Sequence, residues 1–273
     1  MMEIFTGLVD ETVAQIAERL SRQIPMPVCA SKVKEQLFAD PPSFVRIENQ
    51  QRTNMCAAHA GTSVIEVVGF QVTGEMVQRS RNYLYAKAQT YCGLYGDRGV
   101  TLGSIVKALE TDGCPPEELY PFRGQFDSRI PPGADEAAKA CRVTATVDVR
   151  SGGYQSVRTL IGQNMGTVLM ASYWPIEYSS GYIVERYRPE GNGGHARALL
   201  SLASRLDANG RPYVWCANSH DVSAQFHGWE LWSPTAVDEL LDGDTWGATG
   251  ITGLTVMQPQ EVDWTGVLNP FAR

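Results

Sequence analysis

Near residue 140 the spacing of apolar residues in this 273-residue chain switches from a helical period to an alternating one. That switch limits the architectures open to it. Before it, residues 55–69 follow Asn54 as a cap and keep Ala57, Ala60, Val64 and Val68 near one face, the period of a helix. Residues 75–95 carry Met76, Leu84, Ala88 and Tyr91 at mostly helical spacing. Residues 102–112 open at Thr101 as N-cap and stop at Gly113, with Pro115 and Pro116 beyond. After the switch, RVTATVDV (142–149) puts Val143, Ala145, Val147 and Val149 on one side of a strand. Residues 166–173, 195–202, 211–219 and 228–232 read as further strands, with a turn at 208–211 and a crossing helix at 154–164. A helical half followed by a mostly antiparallel half is an α+β arrangement, and the cleft between two such halves is a usual place for a site.

Ahead of these halves, residues 9–22 read as an amphipathic helix with Val9, Val13, Ile16 and Leu20 on one face, ended by Pro25 and Pro27. Residues 23–45 read as an extended connector. Hydrophobic residues make up 43% and charged residues 19%, an ordinary globular composition. The net charge is -7 with no Lys/Arg block, so there is no electrostatic case for nucleic acid or an anionic membrane as partner. The first residues carry Glu3, Asp10, Glu11 and Glu18 and form no apolar run of membrane-spanning length. The expectation is a cytoplasmic protein with reduced thiols at its six scattered cysteines.

One of those thiols sits where chemistry is favoured. Cys56 falls at the start of a predicted helix, where unpaired backbone N–H groups and the helix dipole favour a thiolate. Gln50 lies far enough upstream for its amide to fold back beside the sulfur, and with the Cys56 N–H it would make an oxyanion hole. The bland alternative is a small buried hydrophobe. Of the four histidines, His195 follows G-N-G-G and opens an apolar strand at a sheet rim. His59 shares the helix of Cys56, and His220 and His227 flank a polar loop. Asn218 ends the strand R-P-Y-V-W-C-A-N-S. A hairpin sets the start of one strand beside the end of the next, which brings His195 to Asn218 and lets the amide orient the imidazole. Cys56 and His59 lack a second Cys/His pair, so no metal is expected, and no phosphate-binding glycine loop implies an organic cofactor.

N-Q-x5-C before a helix, then G-H-A, then N-S, in this order, resembles the papain-like cysteine peptidases. The stretch from L-Y-A-K-A-Q-T to E-E-L-Y-P-F and the late G-W-E-L-W-S-P are similar to compact members of that family. The likeness runs from about residue 42 to 245. It implies a two-lobed α+β fold: an N-terminal arm or short prosegment (1–41), a helical lobe carrying Cys56 (42–140) and a β-rich lobe carrying His195 and Asn218 (141–273). It implies Cys56 as nucleophile resting as thiolate beside a His195 imidazolium, Asn218 orienting the ring and Gln50 in the oxyanion hole. Gly99 and Val100 would edge a cleft for an extended polypeptide, with Gly99 giving backbone hydrogen bonds, Gly193 and Gly194 would form the opposite lip, and His220 would join these substrate-binding residues. Three positions depart from the family pattern. Ala57 replaces the Trp after the nucleophile, Thr53 replaces a disulfide cysteine, and His220 stands where an indole covers the His–Asn bond. The reading leaves open a peptide-binding module without turnover and a thioester acyltransferase. It also leaves the arm as prosegment, clasp across the back, or partner-binding segment.

Overall fold

The computed structural model describes residues 7–25, 35–191, 193–242 and 247–256; Pro27, Cys29 and part of the connector lie outside them. The α+β class is as expected. Strands β1 (Ile24–Pro25), β2 (Leu37–Phe38), β3 (Cys141–Asp148), β4 (Thr167–Trp174), β5 (Ile183–Val184), β6 (Gly193–Leu206), β7 (Pro212–Ala217), β8 (Trp229–Trp232) and β9 (Ala248–Val256) share one sheet. Its order is β1-β3-β9-β4-β6-β7-β8-β5, with β2 alongside β6.

Helices α2 (Cys56–Thr73), α3 (Arg81–Cys92) and α4 (Leu102–Thr111) lie on one face, with α2 against β4, β6 and β9. Their core includes Val64, Val68, Leu84 and Ile105 with Leu169, Ala198, Leu200 and Trp215. The opposite face is also covered, by α6 (Gly153–Gly162) and α7 (Pro234–Asp242), over Leu160, Met170, Leu199, Val214, Trp232 and Val237. A sheet buried on both faces needs apolar residues on both, which is why β6 and β7 read as continuous apolar runs.

The arm enters this framework. Helix α1 (Val13–Arg22) starts four residues later than the periodicity suggests, because Thr12 and Gln15 form a capping box. The buried Arg19 pairs with Glu11 at 3.0 Å and donates to Thr249 Oγ1 on β9 at 3.1 Å. Then β1 pairs parallel with β3 and β2 parallel with β6. The segment expected as a bare connector therefore carries two short strands of the sheet.

Other boundaries also move. Asn54 does not cap α2: its side chain donates to the Asp97 carbonyl at 2.8 Å, and Met55 holds the cap position without a side-chain bond. Helix α3 begins only at Arg81, capped by Ser80, so Met76 lies outside it. A register shift at Ala145 breaks the single face expected of β3, sending Val143 to one core and Val147 to the other. Helix α5 (Ala134–Ala138), α7 and β9 are unanticipated. The glycines of β9 weaken its strand signal, yet Gly250 is required there: a Cβ would come within 2.5 Å of Val147 Cγ2 and 2.8 Å of Leu160 Cδ2. Among the described residues no helix is long and apolar enough to cross a membrane.

Candidate active site

The first residue of α2 is Cys56, buried, with the backbone N–H groups of Ala57, Ala196 and Gly7 facing its sulfur. Three elements meet at the sulfur: the start of α2, the start of β6 and the arm. Strand β6 supplies His195 immediately before Ala196. The turn closed between Asp207 and Arg211 joins β6 to β7, and Asn218 follows the last residue of β7. His195 Nε2 lies 2.9 Å from Asn218 Oδ1, and the Ser219 N–H donates to the same oxygen at 2.7 Å. His195 Nδ1 has no hydrogen-bond partner among the described residues.

Gln50 is buried and held by both ends of its amide: Ser219 Oγ donates to Oε1 at 2.6 Å, and Nε2 donates to the Thr53 carbonyl at 2.8 Å. The Thr53 N–H donates to the Gln50 carbonyl at 3.2 Å, closing the turn that leads back to Cys56. Thr53 occupies the expected cysteine position as a hydrogen-bonding residue, its hydroxyl donating to the Gln50 carbonyl at 2.6 Å.

His220 lies against the imidazole. Its ring stacks on that of His195 with centroids 4.3 Å apart, and Trp174 packs edge-on to His220 at 4.8 Å and tilted against His195 at 5.3 Å. Two rings thus pack against the His195 imidazole. His220, expected among the substrate-binding residues, stands in this ring stack. His59 is buried edge-on to Phe122, 5.0 Å between centroids.

The two lips are occupied by the chain itself. Val100 donates to the Gly7 carbonyl at 2.9 Å, Val9 donates to the Val100 carbonyl at 3.0 Å, and Leu8 donates to the Gly194 carbonyl at 3.4 Å. Leu8 runs parallel to Val100 and antiparallel to Gly194. The backbone bonds expected of Gly99 belong to Val100, because the Gly99 N–H is taken by the Tyr85 hydroxyl at 2.8 Å. Gly193 pairs with Trp174 in the sheet. Only glycine fits at position 7, where a Cβ would fall 1.8 Å from the Asn54 carbonyl oxygen.

Burial governs the ionisation of the enclosed groups. It pushes the Cys56 thiol up, against the pull of the three N–H groups and Arg197. It holds the His195 imidazole well below its usual range, helped by His220 and Arg197. His220 falls to about 4 for the same first reason. Burial therefore favours the neutral form of both groups in the closed site.

Behind Asn218 lies a group the sequence reading passed over. Glu230 on β8 accepts from Asn218 Nδ2 at 2.6 Å and is paired with Arg197 of β6 at 2.9 Å, both side chains fully buried. The signal was available as one opposite charge in each of two apolar strands, H-A-R-A-L-L and G-W-E-L-W. Among the described residues no three His, Cys, Asp or Glu side chains converge as a metal site, and all five described cysteines are free.

Three comparisons bear on this arrangement. No protein-family model and no curated protein matches the sequence. Solved structures do. A procathepsin B from Trypanosoma congolense superposes with TM-score 0.63 at 17% identity, over 92% of this chain and 86% of that one. The fold is papain-like. Xylellain, a cysteine protease from Xylella fastidiosa, gives TM-score 0.58 at 16% identity over 92% of this chain and 98% of its own. The clostridial cysteine protease Cwp84, after propeptide cleavage, gives 0.61 at 17% over 78% of this chain; the chain spans 55% of that protein. At these identities the papain-like likeness is one of fold.

Proposed function

We propose that the protein is a cysteine peptidase acting on extended polypeptides, with Cys56 as nucleophile and His195 as base. One observation carries this reading: the sulfur of a cysteine at a helix N-terminus faces the N–H of Ala196, the residue after a histidine whose Nε2 is 2.9 Å from an asparagine oxygen. Burial alone would make Cys56 a packing residue; it gives no reason for three N–H groups to face the sulfur.

The chemistry follows from the named atoms. His195 Nδ1 takes the Cys56 proton, and the sulfur adds to a peptide carbonyl carbon. The charge that develops on the carbonyl oxygen is met by the Cys56 N–H and the Gln50 amide. His195 then gives its proton to the leaving amine as the C–N bond breaks. Water, deprotonated by the same nitrogen, hydrolyses the thioester and restores the thiol. Asn218 keeps the imidazole turned so that Nδ1 is the working atom.

In this reading the arm is an internal plug and not a substrate. Gly7 offers the sulfur an N–H, while its carbonyl is bonded to Val100; attack needs the carbonyl carbon. A substrate backbone would take the places of Leu8 and Val9 between Val100 and Gly194 once the arm lifts. The proposal supports hydrolysis with the arm displaced, and a chain lacking residues 1–10 tests it. That variant should cleave an unfolded protein pool several-fold faster than the intact chain, and adding Cys56→Ala should abolish cleavage. Cleavage that survives Cys56→Ala would remove the nucleophile assignment.

A further inference from the structure

Glu230 is the most heavily satisfied side chain near the site. Its carboxylate accepts from Asn218 Nδ2 at 2.6 Å, Tyr178 OH at 2.7 Å, Trp232 Nε1 at 2.9 Å and Arg197 Nε at 2.9 Å. Arg197 lies 4.9 Å from the Trp174 ring and 5.9 Å from the Trp232 ring, and its Nη1 donates to the Ser172 hydroxyl. Arg197 is the counter-ion that allows an ionised carboxylate to remain in the core. Burial beside Glu230 also drives the Tyr178 hydroxyl far up, so it stays a donor.

An ionised carboxylate can only accept hydrogen bonds. The end of the Asn218 amide that meets Glu230 must therefore be the NH2. The other end, the oxygen, must face His195, in agreement with the Ser219 N–H that donates to it at 2.7 Å. An oxygen 2.9 Å from His195 Nε2 requires that nitrogen to carry hydrogen. Nδ1 is then left with a bare lone pair, and it is the ring nitrogen without a partner among the described residues.

We propose that Glu230 is a positioning residue: by accepting from Asn218 Nδ2 it fixes the amide's direction and holds His195 as the Nε2–H tautomer, with Nδ1 as the base. The inference deepens the reading of Cys56 and His195 as the reacting pair and rests on it. The chain of polarity runs Arg197, Glu230, Asn218, His195, across β6, β8 and the end of β7. An indole lying over the His–Asn bond shields it from water; this network instead sets the direction of the bond from behind.

The test is the nitrogen NMR spectrum of the four histidines in the intact, histidine-labelled chain, with His195→Ala assigning the signals. The native chain should show His195 as a single Nε2–H tautomer. In Glu230→Gln one end of the new amide must confront a donor, so the Asn218 direction is no longer unique. A second tautomer should appear, and in the chain lacking residues 1–10 Cys56 alkylation should slow by roughly tenfold or more, the scale on which carboxylates behind metal-bound histidines act. Glu230→Gln also strands the Arg197 charge. The doubly uncharged Arg197→Met/Glu230→Leu variant keeps the test valid if the single variant does not fold, and it should show the same mixed tautomer. Asn218→Asp added to Glu230→Gln moves the carboxylate one link along the chain and should restore the single tautomer and most of the rate. A purely structural ion pair predicts no such rescue. A folded Glu230→Gln or Arg197→Met/Glu230→Leu protein with the native tautomer and native Cys56 reactivity would overturn the proposal. Because the tautomer is read without a substrate, a native chain with the expected spectrum but no cleavage after arm removal would sink the peptidase reading alone.

Discussion

His220 shows how a single residue reshapes a local inference. A histidine in place of an indole still covers the His195 ring: it stacks on His195 at 4.3 Å, and Trp174 packs against both rings. With a pKa near 4, His220 is neutral at ordinary pH and acts as a flat cover, not a second base. His220→Ala should admit water and lower turnover several-fold, while His220→Phe should restore it; steady-state rates of the arm-shortened chain check both. Equal loss in the two variants would mean that the ring nitrogens matter. The meeting of His195 and Asn218 is legible in the sequence because the ANGR turn lies between their strands. Arg197 and Glu230 leave only the hint of one charge in each of two apolar strands and Trp174 leaves none, because their partners come from β4, β6 and β8, and one strand read alone does not reveal which residue faces it.

Helices α2 and α3 are joined by charge as well as by packing. Arg81 at the start of α3 reaches Glu48 at 2.7 Å, Glu66 of α2 at 3.5 Å and Glu117 at 3.0 Å. Arg81 is shared among three carboxylates, and burial lifts Glu66 to about 7. The folded chain then keeps a proton that the unfolded chain releases near the ordinary value of about 4.3. The stability gained is fully present below that value and is lost as pH rises through 7. Buried His59, His195 and His220, held neutral, give the native Tm the opposite trend through about pH 6.5, so Glu66 is read as a difference: Glu66→Gln, which keeps an acceptor for the Arg79 N–H, should gain Tm on the native chain as pH rises from 5 to 8. A Tm difference between the two proteins that does not vary with pH would contradict the assignment. Existence and type of α2, α4, β4, β6 and β7 were readable from period and caps. The failures have local causes: a capping box that delays α1, the bulge that splits β3, and glycines that hide β9 against Leu160 and Val147.

At the scale of the molecule, the arm and the papain-like framework form one structure. Its strands β1 and β2 and the buried Arg19–Glu11 pair anchor residues 11–25 and 35–38 to the sheet, while residues 7–9 bridge Val100 and Gly194. Removing the first ten residues thus opens the site without removing those anchors. The sequence alone offered three roles for this segment and no means to choose, since bridges from Leu8 to Val100 and Gly194 join residues far apart in the chain. The central claim is that Cys56 and His195 are a reactive pair held neutral under the arm, and the pH dependence of iodoacetamide alkylation at Cys56 tests it most directly. The account predicts slow labelling of the intact chain, fast labelling of the chain lacking residues 1–10 that persists below about pH 6, and loss of that acid-side reactivity with His195→Ala. Labelling of the shortened chain that rises only near the free-thiol value of about 8.5, unchanged by His195→Ala, would contradict it.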